Sequence, residues 1–155
     1  MTEQVLTIEP VAYSNGEAQR LIAATLADLA ERYGGEGDAT PIDPAQFDPP
    51  HGIFLLARLD EDAVGCGAWR SSGEHDAEIK RMYTAPEARG RGVARAVLDA
   101  LEATARDAGK RRMILETGDR QPEAIALYES HGYRRIPNFG YYADEPGALS
   151  YGRDL

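Results

Sequence analysis

Two arginines and two glycines alternate in the segment ARGRGVARAV, which spans residues 88–97 of a chain of 155 residues. Glycines allow a tight turn and leave backbone amides uncovered by side chains. The apolar spacing that follows predicts a helix, and a helix N-terminus beside guanidinium groups suits a phosphate or pyrophosphate. The structural alternative is a turn whose arginines face solvent. The candidate anion-binding residues are Arg89, Gly90, Arg91, Gly92, Val93 and Ala94.

Two common phosphate-binding patterns do not fit this turn. The Walker pattern needs Gly-Lys followed by Ser or Thr, and that sequence occurs nowhere in the chain. The dinucleotide pattern G-x-G-x-x-G/A starts at Gly90 and Gly92 but meets Arg95 where a small residue should pack against a strand. The pattern that remains places Arg89, Gly92 and Ala94 at fixed positions before and within a helix.

Apolar periodicity predicts the elements that position this turn. A first strand at residues 5–13 precedes a helix from Gly16 to Tyr33, with Ser14 and Glu17 as a capping box. A Gly- and Pro-rich loop at residues 34–52 is long enough to border a binding site. Three strands, a helix, a strand, a helix and two closing strands follow. This order predicts a mixed α/β chain with one central sheet.

Composition limits the classes of protein to consider. A chain with 43% hydrophobic and 28% charged residues is typical of one globular domain, which we place at residues 1–155. The net charge of −9 argues against a nucleic-acid partner, and no apolar run approaches the ~20 residues of a membrane span. A single cysteine, Cys66, and the lack of a leader sequence predict a cytoplasmic protein. The three histidines show no metal-ligand spacing with Cys66, so we expect no metal.

Two stretches of the chain resemble the motifs of a known family. Residues 82–101 are similar to the acyl-CoA-binding motif of the GNAT N-acetyltransferases, in which Arg or Gln, two residues, Gly, one residue and then Gly or Ala lead into a helix. Residues 115–136 are similar to the family's second motif, which ends in a helix with a tyrosine and a Gly-Tyr pair. The resemblance implies the GNAT fold, a single mixed and mostly antiparallel sheet flanked by helices.

The same resemblance implies acetyl-CoA as the donor. Its pantetheine arm would pair with the main chain at the end of one strand, and its pyrophosphate would bind the turn from Arg89 to Ala94. The second motif places Gln121 where the family often has asparagine. The cofactor-binding residues implied outside the turn are Met82, Tyr83, Thr84, Gln121 and Ala124.

The resemblance also implies catalytic roles. Tyr128 takes the position of the tyrosine that protonates the departing CoA thiolate. The attacking amine must lose a proton, and Glu78 is the first candidate for the base because it lies four residues before Met82, like the glutamate of the histone-acetylating branch. Glu116, at the end of the next strand, is the second candidate. Without the motif, Tyr128 and Glu78 would be an apolar-face aromatic and a solvated strand residue.

We therefore expect direct transfer of an acetyl group from acetyl-CoA to a primary amine of a small molecule. The alternatives are acetylation of a peptide or protein N-terminus or lysine, and a non-catalytic module that binds acyl-CoA. A homodimer is left open. The acceptor is expected beside the loop at residues 34–52 and the loop at residues 137–147. Candidate acceptor residues in the second loop are Asn138, Tyr141, Tyr142 and Asp144.

Overall fold

A seven-stranded sheet runs through the computed structural model, which describes residues 3–155. The strands are β1 Leu6–Pro10, β2 Gly52–Leu59, β3 Asp62–Ser72, β4 Asp76–Thr84, β5 Arg112–Gly118, β6 Arg134–Ile136 and β7 Ala148–Asp154, and the helices are α1 Gly16–Tyr33, α2 Val93–Asp107 and α3 Pro122–Ser130. The spatial order of the strands is β1-β2-β3-β4-β5-β7-β6. None of the helices within residues 3–155 is both long and apolar enough to cross a membrane.

The sheet is mixed and mostly antiparallel, which confirms the expected fold class. Strands β1 to β4 form an antiparallel meander, and β7 is antiparallel to both β5 and β6. Only β4 and β5 are parallel, and α2 supplies the crossover between them. Such a crossover needs a dozen or more residues, which the helix after the glycine turn provides.

Both faces of the sheet are covered by helices. Strand residues alternate between faces, so Leu55 packs on the α2 side whereas Phe54 and Leu56 pack on the α1 side. The α2 side includes the helix residues Val97 and Leu101, which are fully buried. This division gives the molecule two apolar layers with the sheet between them.

Helix α1 has the predicted bounds, Gly16–Tyr33, but the predicted capping box is wrong. Asn15 is the N-cap, and its Oδ1 accepts a hydrogen bond from the Ala18 amide at 3.0 Å. Glu17 cannot complete a capping box because its carboxylate binds Arg58, with Oε1 2.7 Å from a guanidinium nitrogen. Ser14 lies one residue outside the cap and is exposed.

A β-bulge in β4 opens the sheet. Lys80 pairs with Ala68 and Tyr83 with Cys66, so the two residues between them on β4 oppose the single residue Gly67 on β3. One of the two, Arg81, has a φ of 60°. Strands β4 and β5 pair only at residues 76–78 and 112–114, and beyond this point they separate.

Replacement of Asn15 by Ala removes the side-chain acceptor at the start of α1 and should cost about 1 kcal/mol of unfolding free energy. Urea unfolding followed by circular dichroism measures this loss. Ser14→Ala is the matched control and should change stability by less than about 0.3 kcal/mol, within the range typical of exposed sites. Equal losses in the two variants would contradict the assignment of Asn15 as the cap.

Candidate active site

A cavity of about 960 Å³ occupies the space where β4 and β5 separate. This volume is at the upper end of the range typical of ligand pockets. The cavity extends from the end of α1 and the loop after it to the start of α2 and one face of α3. Of the predicted site residues, the cavity is lined by Met82, Tyr83, Thr84, Arg89, Gly90, Gly92, Val93, Ala94, Gln121, Ala124 and Tyr128.

The glycine turn at the start of α2 forms one end of the cavity. Gly92 is the N-cap, with φ 79° and ψ 11°, and Gly90 also has a φ of 79°. This left-handed conformation favours glycine, and no other atom lies within 4 Å of where a Cβ of Gly92 would be. The first-turn amides have no intrahelical acceptor, and no side chain caps them. They are therefore available to an anion.

Of the three arginines at this turn, two line the cavity and one does not. Arg89 lines the cavity, and its Nε donates to the Thr84 carbonyl oxygen at 3.2 Å. Arg95, one turn into α2, also lines the cavity. Arg91, which the sequence placed with the anion-binding residues, lies outside the lining because its guanidinium donates to Gln4.

The edge of β4 that faces β5 is open beyond Glu78. Met82, Tyr83 and Thr84 lie along this edge and line the cavity. The Thr84 hydroxyl is buried without a hydrogen-bond partner among the described residues. An unpaired strand edge presents backbone amides and carbonyls that an extended chain can pair with.

Tyr128 lies on α3 and is 6% exposed, with its side chain at the cavity. Its ring contacts that of Tyr133, with 5.6 Å between the ring centroids. Burial raises the pKa of the Tyr128 hydroxyl, so this group is protonated at neutral pH.

A buried hydrogen-bonded cluster holds Tyr133 in place behind Tyr128. The Tyr133 hydroxyl donates to Glu102 at 2.8 Å, and Arg153 donates to both carboxylate oxygens of Glu102 at 3.0 and 3.1 Å. The sequence interpretation missed this cluster. A signal was present, because Glu102 falls within the apolar face of α2, four residues after Leu98.

The two glutamates considered as the base differ in placement. Glu78 does not line the cavity, because the neighbouring strand β3 presents Arg70, whose Nε donates to Glu78 at 3.0 Å. Glu116 does line it. The Tyr142 amide donates to Glu116 Oε2 at 3.0 Å, while Oε1 is buried with no partner in the described residues and lies close to Gly140.

Burial raises the pKa of Glu116, and the Tyr142 amide and Lys80 offset this only in part. Glu78 adds to the rise as a neighbouring negative charge. A carboxylate with a raised pKa accepts a proton more readily than an ordinary one. Of the two candidates, Glu116 therefore has both the position and the electrostatics of a base.

Asp38 is the centre of a charged cluster in the loop that follows α1. Its Oδ1 accepts from the Thr40 amide at 2.9 Å and from the hydroxyls of Thr40 and Tyr142 at 2.5 and 3.0 Å. Its Oδ2 lies 2.6 Å from Arg81 and 3.4 Å from Lys80. Burial alone would raise the pKa of this carboxyl, but Lys80, the Thr40 hydrogen bonds and Arg81 hold it well below its usual range.

The C-terminal end of α1 reaches the loop between β5 and α3. The Tyr33 hydroxyl accepts from the Arg120 amide at 3.1 Å and from the Gln121 side chain at 3.3 Å. Arg32 and Arg120 each donate to the other's carbonyl oxygen, at 2.9 and 3.0 Å, and Arg32 also forms an ion pair with Glu123. Gln121 therefore contacts α1 and does not cap α3 with its side chain.

The candidate acceptor residues of the loop at residues 137–147 are only partly brought to the cavity. Tyr142 lines it and donates to Asp38. The Asn138 side chain instead holds the loop, donating to the carbonyls of Ala143 and Ala148. Tyr141 and Asp144 are exposed and are not part of the lining.

Cys66 is buried in β3, and its thiol donates to the Arg81 carbonyl at 3.2 Å. Burial raises the pKa of this thiol to about 12, which leaves almost no nucleophilic thiolate at neutral pH. Within residues 3–155, no group of three or more His, Cys, Asp or Glu side chains is arranged to hold a metal ion.

Strands β4 and β5 are parallel and separate beside the N-terminus of α2. This is the arrangement that the resemblance to the GNAT motifs implied. The sequence profile of the Acetyltransferase (GNAT) family matches residues 16–133. The chain belongs to this family, as the two motifs predicted.

Known proteins similar to this chain include both sequence relatives and solved structures. An IAA acetyltransferase from Azospirillum brasilense is 41% identical over 97 residues, which cover 62% of this chain and 63% of that protein. The match thus spans less than two thirds of this relative. A structure from Klebsiella pneumoniae, of a protein assigned as an acyl-CoA N-acyltransferase, is 36% identical with a TM-score of 0.83, covering 97% of this chain and 98% of that one.

A second solved structure supports the fold alone. It is a GNAT family acetyltransferase from Elizabethkingia anophelis with acetyl-CoA bound, 17% identical with a TM-score of 0.70 and covering 97% of this chain and 98% of that one. These likenesses agree with the mixed sheet described above.

Proposed function

We propose that this protein transfers an acetyl group from acetyl-CoA to a primary amine of a small molecule. The observation that carries the proposal is one continuous cavity that holds an anion-binding turn, an open strand edge, a protonated tyrosine and a desolvated glutamate. The turn and the strand edge can bind a pyrophosphate and an extended pantetheine arm. The glutamate can accept a proton and the tyrosine can donate one.

The chemistry of the turn and of the open strand edge supports acetyl-CoA as the donor. The pyrophosphate binds the amides at Gly92 to Ala94, with Arg89 and Arg95 adding charge-assisted hydrogen bonds. The pantetheine arm pairs with the open edge of β4 at Met82 and Thr84, as an extra strand would. Acetyl-CoA supplies the activated acyl group when it is bound.

The catalytic step assigns one proton transfer to each of two residues. Glu116 removes a proton from the amine, directly or through one water molecule, and the amine attacks the thioester carbonyl. Tyr128 donates to the departing thiolate, and its raised pKa keeps the proton available until the carbon–sulfur bond breaks. We expect no acyl-enzyme at Cys66, because this thiol is buried and donates a hydrogen bond to the Arg81 backbone carbonyl.

The acceptor end favours a small molecule over a peptide. Tyr142 ties the two loops together, since its hydroxyl accepts from the Ala39 amide at 2.6 Å and donates to Asp38 at 3.0 Å. Both loops contribute residues to the cavity lining, and joining them restricts the space at the acceptor end, whereas a peptide needs a groove open at both ends. Tyr128 and Glu116 at the cavity favour an enzyme over a non-catalytic acyl-CoA module.

An acetyl-CoA-coupled screen of diverse amines, with detection of the released thiol, tests the proposed activity. We expect thiol release to depend on the amine and acetylated amine to appear in equal amount. Tight acetyl-CoA binding with no turnover across the panel would instead support the non-catalytic module.

Replacement of Gly92 by Ala should weaken CoA binding about tenfold, which corresponds to about 1.4 kcal/mol, because a methyl group enters the anion-binding turn. Calorimetry measures the affinity. Gly73→Ala is the matched control, since Gly73 also has a positive φ, 69° against 79°, and open space around its Cβ position. Each variant should lose about 1–2 kcal/mol of stability from left-handed strain, but only Gly92→Ala should lose CoA affinity. Equal affinities would rule out the turn as the pyrophosphate site.

Replacement of Tyr128 by Phe should lower kcat about 10²-fold and leave the Kd of acetyl-CoA unchanged, because only the hydroxyl is removed. Tyr151→Phe is the control, since the Tyr151 hydroxyl contacts Glu129 at 3.3 Å and Tyr151 does not line the cavity. Stopped-flow turnover and equilibrium binding distinguish the two effects. Full turnover in Tyr128→Phe would remove its role as the acid.

The pH dependence of kcat tests the base. Only ionised Glu116 can accept a proton, and burial raises its pKa, so kcat should fall as pH drops through a value above 4.5. Glu116→Gln keeps an acceptor oxygen for the Tyr142 amide. It should abolish this fall in kcat at low pH, the acidic limb of the pH profile, and lower kcat at least tenfold. Glu78→Gln should retain the limb, since Glu78 binds Arg70 away from the cavity. Loss of the limb in Glu78→Gln alone would restore Glu78 as the base.

A further inference from the structure

Lys80 and Glu116 hold equivalent positions on the two strands that separate at the cavity. The last registered pair of β4 and β5 is Glu78 with Ile114, and two residues further along each strand the same face presents Lys80 and Glu116. Both residues line the cavity. Among the described residues they form no direct ion pair, and the carboxylate that pairs with Lys80 is that of Asp38.

Lys80 is a buried cation with an incomplete set of partners. It is 9% exposed, and its Nζ lies 3.4 Å from Asp38 Oδ2 and 3.3 Å from Thr40 Oγ1. Charge-assisted hydrogen bonds are normally about 2.7–2.9 Å long, so both contacts are weak. Asp38 Oδ2 is already held by Arg81 at 2.6 Å. One carboxylate therefore faces two cations, and the closer contact belongs to Arg81.

Glu116 is the complementary case of a carboxylate that forms no direct ion pair among the described residues. Its Oε2 accepts from a backbone amide, and its Oε1 has no partner within the described part of the chain. The neighbouring acid Glu78 cannot serve Lys80, because Arg70 binds it at 3.0 Å. The wall of the cavity thus presents, on adjacent strands, a cation with only long contacts and a carboxylate with one free oxygen. Partly buried charges favour a ligand that completes their pairing.

We propose that the acceptor is an amine that carries a carboxylate close to its amino group, which means an amino acid or a close analogue. This inference rests on the proposed acetyltransferase function and names its substrate class. The acceptor carboxylate binds Lys80, and its ammonium group faces Glu116. A polyamine without a carboxylate would instead bring a second cation to Lys80 and is disfavoured.

The same placement completes the transfer with every proton assigned. The ammonium group first loses one proton to solvent, and the freed lone pair forms a bond to the thioester carbonyl carbon. Glu116, directly or through one water molecule, takes a second proton from the nitrogen as this bond forms. The carbon–sulfur bond breaks, and the thiolate takes the Tyr128 proton. The proton on Glu116 returns through solvent to Tyr128. The products are the N-acetyl amino acid and CoA with a free thiol.

The test compares three forms of each acceptor in the acetyl-CoA-coupled thiol assay: the α-amino acid, its α-carboxamide and its decarboxylated amine. The panel holds the common α-amino acids in both enantiomers. The carboxamide has the least basic amine of the three, so amine basicity alone would rank the carboxamide first. Carboxylate recognition ranks the amino acid first, and we expect kcat/KM for the best amino acid to exceed that of both partners at least tenfold.

Variants of the chain's two lysines, Lys80 and Lys110, connect this preference to one residue. Lys80→Met should bring the ratio of kcat/KM for acid over carboxamide close to one, while Lys80→Arg, which keeps the cation, should retain a preference. Lys110→Met is the matched control, because the Lys110 ammonium donates to the carbonyls of Gly73 and Glu74, away from the cavity. It should keep the full ratio.

Each outcome separates this inference from the function on which it rests. Turnover of carboxamides or decarboxylated amines at rates equal to the acids, or a preference that survives Lys80→Met, overturns the inference and leaves the acetyltransferase function standing. Absence of thiol release with every amine, including peptides and polyamines, overturns both. If Lys80→Met does not fold, the ranking of the three acceptor forms by the wild-type protein decides the question.

Discussion

The separation of β4 from β5 is the constraint on which the rest of the site depends. Two parallel strands that stayed paired to their ends would leave neither a cavity nor a free strand edge. Pairing stops after Glu78 and Ile114, and the bulge opposite Gly67 turns the end of β4 away. A Cβ at Gly67 would lie 2.6 Å from the Met82 sulfur and 2.7 Å from a Val97 methyl group, so a larger residue there would displace these side chains. The opening in the sheet is thus built into its packing.

Features that depend on neighbours in sequence could be predicted from the sequence. The glycine turn is one, because Gly90, Gly92 and the start of α2 follow one another and their geometry is set by local backbone preferences. The bounds of α1 are another, although the cap was displaced by one residue from Ser14 to Asn15. Serine and asparagine cap equally well, so only the three-dimensional course of the chain could choose between them.

Features that join distant segments could not be predicted in this way. Asp38 contacts Lys80, Arg81 and Tyr142, and the last of these is more than 100 residues away along the chain. The spacing of residues in the sequence does not predict contacts between segments this far apart. The contact between Glu78 and Arg70 on the neighbouring strand is a further example, and it leaves Glu78 as a candidate base outside the cavity lining. The positions of Tyr128 and of the strand edge were expected from family motifs and not from periodicity.

The scarcity of lysine has a consequence for the proposed use of a reactive thioester as the donor. Amines are the groups that thioesters modify without an enzyme, whereas guanidinium groups remain charged and unreactive at neutral pH. Apart from Lys80 and Lys110, the basic side chains that are charged at neutral pH are fifteen arginines, the remainder of the 17 lysines and arginines. Lys80 is buried against Asp38, and Lys110 is engaged by two backbone carbonyls. With acetyl-CoA as the donor, few side-chain amines of the protein would be open to acetylation without catalysis. Such modification would concentrate at Lys80, which we propose binds the acceptor.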